Sequence, residues 1–95
     1  MKSSEILMEA RKKISSGEAY FICNAVYAVG RDKNCLKKSA KIEAYIANQL
    51  EGFVGLNGWL RHKYGVDPYT NSRKMRKTRL AWIDWMIAAY EAKGD

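Results

Sequence analysis

Cysteine, histidine, proline and long apolar runs are all scarce in this 95-residue chain, and each shortage excludes something. The two cysteines, Cys23 and Cys35, stand twelve positions apart without a C-x-x-C pair, which makes neither a zinc pattern nor a disulfide framework. Reduced thiols in a cytosolic protein are expected. His62 is the single histidine, so neither a histidine metal site nor a serine triad can be assembled, and no metal or cofactor is expected. The longest apolar stretch, residues 19–29 interrupted by Asn24, is about half of the roughly 20 residues that span a bilayer, and it reads as a buried helix. Lys2, Glu5, Glu9, Arg11, Lys12 and Lys13 break up the first stretch of chain, which therefore lacks the apolar run of a secretory signal. A cytoplasmic protein with no membrane partner is expected.

Acids are also short. Ten Asp and Glu against seventeen Lys and Arg leave a net charge of +7, which favours nucleic acid, nucleotides or acidic proteins as partners without choosing among them. The excess is clustered: residues 31–41 and 61–79 hold twelve of the seventeen cations and only Asp32 and Asp67 as acids. What the chain has in quantity is apolar side chains, 47% of the total, enough for one domain over residues 1–95. Independent domains are common down to roughly 55–65 residues, so no metal or disulfide is required for folding.

Ile6, Leu7, Ala10 and Ile14 recur at helical spacing after Ser3 or Ser4, and Ser15-Ser16-Gly17 closes this first amphipathic helix. Ser15-Ser16-Gly17-Glu18 matches a capping box, which predicts a second helix over 18–29 ending at Gly30. Tyr20, Phe21, Ile22, Cys23, Val26, Tyr27 and Val29 make that helix apolar nearly all round, the pattern of a central core helix. A third helix over 33–51 places Leu36, Ile42, Ile46 and Leu50 in one arc and Lys33, Lys37, Lys38 and Lys41 on the other side. Gly52, Gly55 and Gly58 are expected to turn the chain, followed by a short helix over 57–64, Gly65 as its cap, and a loop over 66–72 around Pro68. The last helix is predicted over 73–92, with Trp82, Ile83, Trp85, Met86 and Tyr90 as its apolar arc. No alternating segment is long enough for a sheet, so the fold class is all-α, a compact bundle of four to five helices.

The densest cationic cluster, Arg73, Lys74, Arg76, Lys77 and Arg79, opens the last helix with no acid before Asp84. Free amides at a helix start carry partial positive charge, so each cation there costs a few tenths of a kcal/mol, up to about 1. A bound anion would offset that cost, and Thr70 and Ser72 would add hydroxyl donors to a phosphate site. The other reading is a solvated, charged turn neutralised by Glu residues of other helices. Lys37, Lys38 and Lys41, with Tyr45 at the edge of their face, would join the site if the third and last helices pack side by side. Otherwise they serve solubility alone. Trp59, Tyr64 and Tyr69, interleaved with Arg61 and Lys63, are candidates for base stacking or for anchoring a protein partner, whereas Trp82 and Trp85 have core spacing.

Cys35, surrounded in sequence by Arg31, Lys33 and Lys37, is the one candidate nucleophile, and no general base stands at a recognisable spacing from it. The G-x-x-G spacings in 52–58 do not follow a strand and read as turn glycines. A helix-turn-helix with Gly52 at the turn fits poorly, because Gly58 and Arg61 would occupy positions that need apolar side chains.

Glu9-Ala10-Arg11, Phe21-Ile22-Cys23-Asn24-Ala25 and the run from Arg79 to Ile87, Arg-Leu-Ala-Trp-Ile-Asp-Trp-Met-Ile, resemble small helical proteins encoded by phages and prophages. The shared residues are mainly core positions, so the resemblance implies a common fold and a context in a host cytoplasm more than a particular chemistry. Small accessory proteins of that kind act by binding nucleic acid, nucleotide signals or host defence proteins. The expectation is thus a non-enzymatic binding protein for a phosphate-bearing ligand. The alternatives are an inhibitor that docks on an acidic host protein and, last, a small enzyme built on Cys35. Self-association to complete a small core is left open.

Overall fold

The structure, a computed structural model, describes residues 1–56 and 76–95, with side chains described for 1–49 and 76–95. Four helices appear there and no strand: α1 Ser3–Ser16, α2 Ile22–Asp32, α3 Leu36–Leu56 and α4 Arg76–Ala92. The all-α expectation holds. The helix expected over 57–64 and the loop over 66–72 lie outside the described residues.

The order of importance among the helices differs from the sequence reading. The narrow apolar stripe of α1, Ile6, Leu7, Ala10 and Ile14, is wholly buried, and α1 packs against α2, α3 and α4. It is the centre of the bundle. The broader α2 buries Ile22, Ala25, Val26, Val29 and Gly30 but leaves Tyr27 49% exposed, so it is a flanking helix. Ile42 and Ile46 of α3 and Trp82, Ile83, Met86 and Ile87 of α4 complete the core. Leu36, expected on the buried arc, is 46% exposed at the start of α3.

α1 and α4 run antiparallel, joined at both ends and in the middle. The Ser4 N–H donates to the Asp95 main-chain oxygen at 2.8 Å. Arg11 bridges Asp84 through Nε–Oδ1 at 2.7 Å and Nη2–Oδ2 at 3.2 Å. Arg76 lies against Gly17, its Nη2 3.4 Å from where a Cβ would stand.

Local chemistry explains where three predicted boundaries move. Ser15 and Ser16 do not cap a following helix: their hydroxyls donate back to the Lys12 and Lys13 carbonyls, both at 3.2 Å, and although Ser16 Oγ accepts from the Glu18 N–H at 3.4 Å, no helix begins there. Gly17, left-handed at φ 85°, ends that helix, and the Gly17 and Ala19 amides donate to the Ile14 and Lys13 carbonyls. Residues 18–21 are spent on this turn, so α2 starts at Ile22 rather than Glu18. Gly30 is not the end of α2 but a helical residue inside it. A Cβ there would stand 2.6 Å from Ser39 Cβ, so its absence lets α3 cross at close range. The turn to α3 is made by Asn34 at φ 55°, with Cys35 N–H donating to the Gly30 carbonyl at 2.7 Å. Gly52 and Gly55, expected to turn the chain, lie within α3. Glycine in a helix interior costs only about 1 kcal/mol against alanine, which weakens a helix without ending it. This continuity also removes the helix-turn-helix with Gly52 at its turn.

Candidate anion-binding cleft

At one end of the bundle the first turns of α3 meet the start of α1 and the end of α4. A cleft of about 600 Å³ opens between them, lined by Ser3, Lys37, Lys38, Lys41, Tyr90 and Asp95. That volume falls in the range of small-molecule sites. The lysines arrive there through the period of α3: Ile42 and Ile46 face the core, which turns Lys37 and Lys41 outward one helical turn apart, a rise of about 6 Å. Both are exposed, and among the described residues neither has an acidic partner. Like charges at i and i+4 oppose helix formation by a few tenths of a kcal/mol, so the pair is held at a cost in stability. No acid stands in the first turn of α3 to relieve it.

Lys38 differs. Its Nζ lies 3.0 Å from Asp95 Oδ1, and each side chain is about 40% exposed. Asp95 is bound a second time by α1, where the Ser3 N–H reaches Oδ1 at 3.0 Å and the Ser3 hydroxyl reaches Oδ2 at 2.7 Å. The Ser4 hydroxyl donates to the Asp95 main-chain oxygen at 2.8 Å. The Ser3 amide, the Ser3 hydroxyl and Lys38 together hold the Asp95 carboxyl far below the ordinary carboxylate range. An anion thus sits on a free amide at the start of α1, and that anion is the chain's own carboxylate.

Tyr90 forms the aromatic wall. Its ring stands 4.6 Å from that of Tyr45, tilted by 52°, with Lys93 Nζ over both at 5.4 Å from Tyr45 and 5.8 Å from Tyr90. Burial, with the neighbouring Tyr45 and Asp95, pushes the Tyr90 hydroxyl up to about 12, so it stays protonated at every physiological pH. The cleft therefore offers three ammonium groups, a neutral phenol and one internal carboxylate. It can hold an anion by charge and hydrogen bonds.

The structure separates the sequence-predicted site into parts. Lys37, Lys38 and Lys41 come together in the cleft. Arg76 and Lys77 do not join them: Arg76 is fourteen positions before Tyr90 along α4, about 21 Å by helical rise. Arg76 packs against Gly17, at the negative end of the α1 dipole. Lys77 is exposed at the same end. Arg79 leaves the surface set altogether, being 1% exposed, with its guanidinium 4.7 Å from the centre of the Phe21 ring. Thr70, Ser72, Arg73, Lys74, Trp59, Tyr64 and Tyr69, with Arg61, His62 and Lys63, lie outside the described residues. Cys23 and Cys35 are each half-buried against the core.

Ser3, Tyr90, Lys93 and Asp95 were missing from the predicted site. The spacing of Tyr90 marks it only as part of the apolar arc of α4, and only the antiparallel pairing of α1 with α4 brings Ser3 to Asp95. No group of three metal-binding side chains occurs among the described residues, and no helix there is long and apolar enough to cross a membrane. Comparison with known proteins returns no match to any family model, curated protein or solved structure.

Proposed function

We propose that the protein is a non-enzymatic binder of a small phosphate-bearing ligand, taken up in the cleft between α1, α3 and α4. The observation that carries this reading is the pair of ammonium groups, Lys37 and Lys41, without an acidic partner among the described residues, one turn apart on the wall of a cavity of about 600 Å³. A nucleotide is the class of ligand that uses all of the lining: phosphoryl oxygens for the lysines and an aromatic base within reach of Tyr90. In the phage-type setting that the core motifs suggest, such a protein acts by sequestering a nucleotide signal in the host cytoplasm. Arg76 and Lys77 contribute to the positive field that draws anions in, and not to the contacts.

Native mass spectrometry of protein purified from its host, before and after denaturation, tests for a retained ligand and gives the subunit number in the same spectrum. The assignment to the cleft is tested by titrating pyrophosphate and ADP into wild type, Lys37→Gln/Lys41→Gln and Arg76→Gln/Lys77→Gln. The first double variant is expected to lose affinity about tenfold or more, two charge-assisted contacts being removed, and the second to change it little. The reverse ranking would move the site to the start of α4. Nucleic acid as the true ligand would appear as a steep fall of affinity with salt.

A second reading, a protein inhibitor, is favoured by Phe21 and Tyr27, 38% and 49% exposed around α2. Aromatic side chains of that kind anchor protein interfaces. A stable complex with a host protein that persists without nucleotide, and is lost in Tyr27→Ala, would support it over the first.

A further inference from the structure

Asp95 is an anion already seated in an anion-binding cleft. Its carboxylate takes the Lys38 ammonium at 3.0 Å and two donors from Ser3, while Lys37 and Lys41 beside it have no acidic partner among the described residues. A tethered group of this kind acts at an effective concentration of millimolar or above. Chloride or a simple carboxylate in solution brings one charge and gains nothing over the group it must displace. A phosphate-bearing ligand with two or more negative charges meets Lys37 and Lys41 as well, and so has an advantage the internal carboxylate lacks.

We propose that Asp95 is an internal competitor that withholds Lys38 from weak anions and reserves the cleft for multiply charged phosphate compounds, pyrophosphate-bearing molecules above all. The inference rests on the binding function proposed for this cleft and adds its selectivity. Asp95 acts through Lys38 and touches no ligand itself, so it is a positioning residue. Its role is one of restraint: a carboxylate serving the fold alone would leave affinity unchanged or lower it when removed, whereas a competitor raises it.

The experiment is calorimetric titration of pyrophosphate and orthophosphate into the full chain at low salt, comparing wild type with Asp95→Asn. Glu91→Gln removes the same charge from an exposed position near the end of α4 and serves as control. Asp95→Asn is expected to tighten orthophosphate about two- to fivefold, the range of a partly exposed ion pair, and to narrow the preference for pyrophosphate, with Glu91→Gln close to wild type. The gain should shrink as salt screens it. Unchanged or weaker binding by folded Asp95→Asn, with binding still lost in Lys37→Gln/Lys41→Gln, overturns the competitor and leaves the binding function standing. No pyrophosphate binding by any form overturns both.

Should Asp95→Asn fail to fold, Lys38→Gln carries the test in an otherwise wild-type chain. A competitor at Asp95 predicts that this change costs less affinity than Lys37→Gln or Lys41→Gln alone. An equal or larger loss rejects the proposal.

Discussion

Arg79 shows how a single residue is misread when composition is weighed before period. In sequence it is the last of five cations opening a helix, and it reads as part of a phosphate site. In the fold it lies three and four positions before Trp82 and Ile83 and seven before Met86, all fully buried, so the helical period places it on the core stripe. It is buried with its guanidinium over the Phe21 ring, and burial lowers its affinity for the proton. The same period, applied to Arg79 in the sequence, separates it from the exposed Lys77. Arg79→Ala is expected to cost about 2–4 kcal/mol of stability by urea denaturation, as for other long buried side chains cut to alanine. Pyrophosphate affinity per folded molecule should not change. Lost affinity at undiminished stability would return Arg79 to the binding site.

At the scale of elements, the apolar stripes of α1, α3 and α4 were legible because the 3.6-residue period is local and strong, while boundaries set by contacts between helices were not. Ser15-Ser16-Gly17-Glu18 satisfies the pattern of a capping box, yet the same serines can bond back into the helix before them, and the left-handed Gly17 decides for that arrangement. Gly30 carries a different lesson, since a glycine near a helix end is equally suited to a cap or to a close crossing. Here the crossing wins, with the buried Ser39 filling the space and its hydroxyl bonded to the Leu36 carbonyl at 3.0 Å. Gly30→Ala would force its new Cβ into Ser39 and is expected to destabilise the protein by about 1–3 kcal/mol, the usual range for overpacking. Ser39→Gly clears that space, so the double variant Gly30→Ala/Ser39→Gly should recover part of the loss. Equal midpoints for wild type and Gly30→Ala would mean that α2 and α3 do not cross at this contact.

At the scale of the whole molecule, the decisive fact is that among the described residues Lys37, Lys38 and Lys41 lie at the opposite end of α4 from Arg76 and Lys77, which no local pattern announces. Lys37, Lys38 and Lys41 were legible as a face of α3, but their neighbours in the cleft come from the far end of α4 and from the start of α1. The contact that closes this end joins Ser3 and Ser4 to Asp95, 92 and 91 positions apart, with Lys38 and the protonated Tyr90 hydroxyl as the other groups at hand. It also ties stability to pH. The Asp95 carboxyl is held below its unfolded value, so the unfolded chain binds the proton more readily. The stabilisation is therefore complete above the unfolded value of about 4 and is lost as pH falls through the lower folded value. Urea midpoints should fall between about pH 4 and pH 2, and Asp95→Asn should be less stable at pH 7 but approach wild type at the acid end as the wild-type carboxyl protonates. If the gap between the two proteins stays constant down to pH 2, the carboxylate does not hold α1 to α4, and both the closure of the bundle and the restraint on Lys38 would have to be assigned to other groups.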